Sequence, residues 1–122
     1  MKNLFIFTAI LLFVSSCSFA DQPNCTGQES WPASMAFVNL KNARITNNEK
    51  VDFNKTTVKR LASEHLKSGI FKQIHFVTFV EKDGTIIEVI TINEASFEEC
   101  SHSDVDVFKV NIISNKLPLK DI

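Results

Sequence analysis

Cysteine and histidine are the side chains here best suited to chemistry, and the 122 residues hold three of each. His65, His75 and His102 fall in no ligand motif of the H-E-x-x-H kind, in which two imidazoles one helical turn apart grip zinc. Cys100-Ser101-His102, with Glu98, Glu99 and Asp104 close by, gathers thiolate, imidazole and carboxylate, all competent metal ligands. A disulfide at Cys100 removes the thiolate from that set. The carboxylates also lack the glycine spacing of a calcium loop. No metal site is expected.

Covalent catalysis needs a Ser or Cys beside a base that a third group orients. There is no G-x-S-x-G elbow, and Gly27, Gly69 and Gly84 are too scattered to form a phosphate-cradling loop. His75 stands between Ile74 and Phe76, the setting of a sheet residue more than of a general base. A small hydrolase using His75 or His102 is the minor enzymatic reading. The main expectation is that the protein is not an enzyme and carries no cofactor.

The cysteines make better sense in an exported protein. Residues 1–20 have one positive charge at Lys2, an apolar run over 4–14, and small residues Ser15, Ser16 and Ser18 leading to Ala20, the three-part layout of a secretory signal peptide. Eleven apolar positions make roughly 16 Å of helix, too short for a hydrocarbon core about 30 Å thick. Ser18-Phe19-Ala20 before Asp21 offers the small −3 and −1 side chains that signal peptidase accepts. Val14-Ser15-Ser16-Cys17 resembles the lipobox of bacterial lipoproteins, which implies acylation at Cys17 and, with Ser18 next, an outer-membrane location. Cleavage before Asp21 is the first expectation and the lipoprotein the alternative. The domain plan is thus a signal peptide, 1–20, and one exported domain, 21–122.

Cys25 and Cys100 remain in either case. Two thiols in an oxidising compartment pair, and a bridge closing a loop of about 75 residues is worth about 4 kcal/mol in the chain-entropy treatment. Asn24-Cys25-Thr26 and Asn54-Lys55-Thr56 match the glycosylation sequon, which matters only in a eukaryotic secretory pathway. The leader fits a bacterial one.

Charge limits the partners. The formal net charge is −1, without the dense basic footprint that nucleic-acid binding requires. Between 81 and 106, however, Glu81, Asp83, Glu88, Glu94, Glu98, Glu99, Asp104 and Asp106 face Lys82 alone, a net −7. Such a stretch is either a solvated face or a landing surface for a basic partner. Phe97, between Ser96 and Glu98, is the aromatic expected to be exposed there. Trp31, the sole tryptophan, is either a binding anchor or a packing residue at a helix start near the disulfide.

The elements that must carry these groups follow from periodicity. Ser30 can cap a helix over 32–43, with Pro32 in the first turn, where a missing N–H costs nothing, and with Ala33, Ala36, Phe37 and Leu40 at helical spacing. Val58, Leu61, Ala62 and Leu66 also sit at i, i+3, i+4 and i+8, so 56–68 favours a helix ending at Gly69, with a strand as the alternative. Residues 71–80 and 85–93 are rich in aromatic and β-branched side chains and flank Asp83-Gly84, a strong hairpin signal. Apolar residues on both faces of these strands imply a central hairpin, partly covered on each side. An acidic loop carrying Cys100 then leads to a strand over 104–113. The expected fold is α+β, with one or two helices on a three- to four-stranded antiparallel sheet and one disulfide.

A domain of this size without reaction machinery works by contact. Small exported α+β domains with one disulfide resemble inhibitor and immunity-type proteins in size and build. The resemblance implies a periplasmic protein that occludes an exported enzyme or toxin, using Phe97, Glu98, Glu99, Asp104, Asp106 and Trp31 against a basic cleft. Membrane contact is expected only with lipidated Cys17, in which case the role is structural or in envelope assembly.

Overall fold

In the computed structural model, residues 21–114 are described. The expected signal peptide and the alternative lipidation site at Cys17 lie outside them. One helix, α1 (Trp31–Asn42), precedes four strands, β1 (Thr57–Lys67), β2 (Ile70–Val80), β3 (Ile86–Ala95) and β4 (Asp106–Ile113). The strands form an antiparallel meander in the order β1-β2-β3-β4. The α+β expectation holds, with one disulfide joining Cys25 and Cys100.

Helix α1 starts at Ser30, which takes the extended N-cap conformation without a capping side-chain bond, and Pro32 fills the first turn. Its inner stripe of Ala33, Ala36 and Leu40 is buried, the two alanines letting the helix lie close to the sheet. Below them Val77, Phe79, Ile87 and Val89 project from the central strands, and Val51 closes one end. Asp83 and Gly84 turn β2 into β3. Gly84 takes φ 91°, a left-handed value that glycine adopts without steric penalty, and the Thr85 N–H donates to the Asp83 carboxylate at 2.9 Å.

The segment 56–68 is a strand and not the favoured helix. Its apolar residues fall at helical spacing, yet Leu61 and Leu66 are exposed, so no helical stripe faces the core. Pairing with β2 satisfies the backbone groups that face it along the strand, at the expense of register shifts between Arg60 and Ala62 and between His65 and Lys67. Gly69, read as a helix stop, supplies φ 73° in the turn into β2.

Alternation assigns the two faces of the sheet. Phe71, Gln73, His75, Val77 and Phe79 of β2, with Ile87, Val89, Thr91, Asn93 and Ala95 of β3, point toward α1 and are buried. Ile74, Phe76, Ile90 and Ile92 point the other way and are half-buried. The hairpin is central, as expected, but α1 packs on the first face only, its Ala33, Ala36 and Leu40 sharing one core with Val77, Phe79, Ile87 and Val89.

Candidate functional site

The residues singled out for contact gather at one end of the sheet, where β3 leaves toward β4. Several attachments fix this loop. The disulfide ties Cys100 to buried Cys25, with Cα atoms 5.8 Å apart and 75 residues of separation in sequence. Asn93 Nδ2 donates to the Cys100 carbonyl oxygen at 2.8 Å, and the Glu94 N–H donates to Ser103 Oγ at 2.7 Å. The loop also braces itself: the Ser96 N–H donates to the Glu99 carbonyl at 2.8 Å, while the N–H groups of Glu98 and Glu99 donate to Ser96 Oγ at 3.3 and 3.2 Å. A loop so held presents its side chains in one arrangement and loses little conformational entropy on contact.

Phe97 stands at the tip, 60% exposed, with its ring edge-on to Phe71 at 5.5 Å between centroids. Phe71 in turn contacts His65 across β1, with ring centroids 5.0 Å apart. Phe97 therefore rests on an aromatic base without being covered by it. With Glu98, Glu99 and His102 it lines a recess of about 420 Å³, closed on the far side by Ser68, Gly69 and Ile70 of the β1–β2 turn. His102 Nδ1 lies 3.9 Å from Glu99 Oε1. The Ser101 hydroxyl donates to Glu99 Oε2 at 3.4 Å and not to an imidazole.

The other predicted contact residues are placed apart from Phe97. Asp104 and Asp106, with Glu94 and Lys72, border a neighbouring recess of about 370 Å³ on the side of the uncovered sheet face. Trp31 is half-buried at the start of α1, and its indole N–H donates to the Ser103 carbonyl oxygen at 3.1 Å. The tryptophan thus buttresses the loop from behind. Glu98, Glu99, Asp104 and Asp106 are all exposed.

His75 is buried on the covered face, opposite Thr91 and next to the Gln73–Asn93 pair. Burial and the nearby Arg60 guanidinium push its imidazole down from 6.5 to about 4. Above this polar row runs the segment 21–30, whose Pro23 carbonyl accepts from Arg60 at 3.2 Å and from Gln73 Nε2 at 2.9 Å. Periodicity alone did not single out Gln73, Thr91 and Asn93. The available signal was the polar residue at every second position on both strands beside the hairpin core. Among the described residues, no group of three or more His, Cys, Asp or Glu side chains is placed to hold a metal ion.

At the opposite end, Ala33, Phe37, Val38, Phe53 and Phe79 form the apolar part of a recess of about 310 Å³ beside α1, rimmed by Gln28, Glu29, Ser34 and Asn48, where Phe37 and Phe53 meet edge to face at 4.9 Å. Chemically, the loop end offers an aromatic knob among carboxylates on a fixed support, whereas this recess offers an apolar floor with a polar rim. Comparison with family models, curated proteins and solved structures gives no match, so the functional reading rests on this geometry.

Proposed function

We propose that the protein acts by contact, as a small binding protein of the inhibitor or immunity type that covers a basic cleft on an exported enzyme or toxin. The observation that carries this reading is Phe97, 60% exposed at the tip of a loop that a disulfide and the Trp31–Ser103 hydrogen bond hold in place. Large rigid aromatics anchor interfaces when they enter a pocket ready-formed. Glu98 and Glu99 beside it supply the charge that steers a cationic surface into place, an effect that acts mainly on the association rate and weakens with salt.

A disulfide fits a compartment outside the reducing cytoplasm, and no helix among the described residues is long and apolar enough to cross a membrane. The periplasm or the exterior is the proposed location. Intact mass distinguishes this from the lipoprotein alternative: an unmodified chain beginning at Asp21 supports the free protein, and a diacylglyceryl adduct on a chain beginning at Cys17 supports an outer-membrane anchor.

The test of the binding reading is co-purification from an exporting bacterial host, comparing wild type with Phe97→Ala and with Glu98→Lys/Glu99→Lys. A partner retained by wild type and lost from both variants supports the proposal. A partner that both variants retain, or none at all, contradicts it.

A further inference from the structure

The uncovered face of the sheet has a pattern that the loop reading does not use. In register across the strands, Ile74 lies beside Ile92, and Phe76 beside Ile90, which is followed by Phe108 of β4. Phe108 is 54% exposed. Polar and charged residues border this apolar field at both ends: toward the loop Lys72 pairs across strands with Glu94 and Asp106 lies beside Ile92, and at the other end Thr78 pairs with Glu88, which lies beside Asn111. A continuous apolar patch with a charged border marks an interface more often than a bare surface.

We propose that this face joins two copies of the chain, sheet upon sheet, about a twofold axis that runs along the strands between β2 and β3. Stacked sheets keep their strands within about 30° of each other, and a closed homodimer places the same patch on both copies. Two axis directions satisfy both conditions, and charge decides between them. An axis across the strands lays each β2 on its own counterpart in reverse, setting Lys72 over Val80 and Glu94 over Ile86 of the partner copy. Both charges then lose water and meet aliphatic side chains, a costly arrangement.

An axis along the strands lays β2 on β3 of the partner copy. Lys72 then meets Glu94 of the partner copy, Ile74 meets Ile92, Phe76 meets Ile90, and β1 covers β4, setting the Lys59 stem over the Phe108 ring. The contacts of Ile74 and Phe76 with Ile92 and Ile90 are apolar, and the lysine at the loop end meets an opposite charge. In the next row Glu88 faces the Thr78 hydroxyl of the partner copy, a hydrogen-bond donor, where an axis across the strands would set it over Ile92. Four strands about 4.8 Å apart, with about ten residues of 3.3 Å each, present roughly 600 Å² before side-chain relief. A stable interface takes about 800 Å² per partner, so this one lies at the small end, among weak and transient associations. Because the axis keeps strand direction, both Phe97 loops emerge at the same end, giving a partner two anchors to engage.

The test is sedimentation equilibrium on the full chain, purified with its disulfide intact from an exporting host, at about 100 µM. Wild type is expected at twice the chain mass. Lys72→Glu alone and Glu94→Lys alone are each expected to raise the dissociation constant tenfold or more, because each sets like charges against each other across the axis. An equimolar mixture of the two is expected to regain the wild-type constant, since every cross-copy pair again joins opposite charges while the cross-strand pair within each chain stays like-charged. Circular dichroism confirms folding. Should either charge variant unfold, Phe108→Ser on the exposed edge serves instead, with the same expected weakening. A wild-type monomer at this concentration overturns the proposal, as does a dimer that these variants leave unchanged or that mixing fails to restore. A full chain that dimerises only after residues 115–122 are removed also overturns it, assigning the face to the chain's own tail.

Discussion

His75 and Thr91 lie directly opposite each other on β2 and β3, both with no exposed surface, and neither imidazole nitrogen nor the threonine hydroxyl has a hydrogen-bond partner. A neutral imidazole is tolerable in such a place and a charged one is not. In the unfolded chain His75 takes up a proton near 6.5, whereas in the folded chain it does so only near 4. Stability from this residue is therefore fully present above pH 6.5 and is lost as the pH falls toward 4. The loss reaches about 3 kcal/mol for a shift of this size. Urea unfolding at pH 7.5, 6 and 4.5 should show the midpoint falling with acidity, and His75→Leu should flatten that dependence.

The disulfide closes 75 residues, so loss of the cross-link should release about 4 kcal/mol of loop-closure entropy to the unfolded state. Cys25→Ser/Cys100→Ser is expected to lower stability by that order in a denaturant titration. Hydrogen exchange should show the largest loss of protection in 21–30 and 94–103, the two segments that the bridge joins, with smaller changes at the Asp83-Gly84 turn.

Much of this arrangement can be read from the chain before folding, and the exceptions have physical causes. Helix α1 and the β2–β3 hairpin follow from periodicity and turn chemistry, because each has one clearly inward set of side chains, whereas β4, an edge strand with almost every residue exposed, follows from its run of β-branched and aromatic residues. Strand β1 does not. It is an edge strand with nearly every residue exposed, so burial imposes no period-2 alternation on its sequence, and its irregularities after Arg60 and His65 move Leu61 and Leu66 into helical spacing by coincidence. The exposure of Phe97 was legible from its polar neighbours. The packing of Trp31 at the helix start near the disulfide was one of its two readings, but its partner, a backbone carbonyl 72 positions away, is encoded in no local pattern.

Core and tip should respond in opposite ways to truncation. Leu40→Ala removes a side chain that is buried between α1 and the sheet and should cost about 2–5 kcal/mol. Phe97→Ala removes one that is mostly in water and should cost under about 1 kcal/mol. Chemical denaturation of the two variants under identical conditions checks the contrast.

Trp31→Phe keeps the ring in place and deletes the donor to the Ser103 carbonyl. About 1 kcal/mol of stability should be lost. Exchange of backbone amides in the loop, read by mass spectrometry, should rise while that of β2 and β3 stays unchanged.

A photo-crosslinking residue placed at position 97, with a matching probe at Lys82 on the far hairpin turn, is the most direct check on function by contact. In exporting cells the account predicts an adduct with another protein from position 97, none from position 82, and loss of the first when Glu98 and Glu99 are both changed to Lys. Equal adducts from the two positions, or none from position 97, would contradict it.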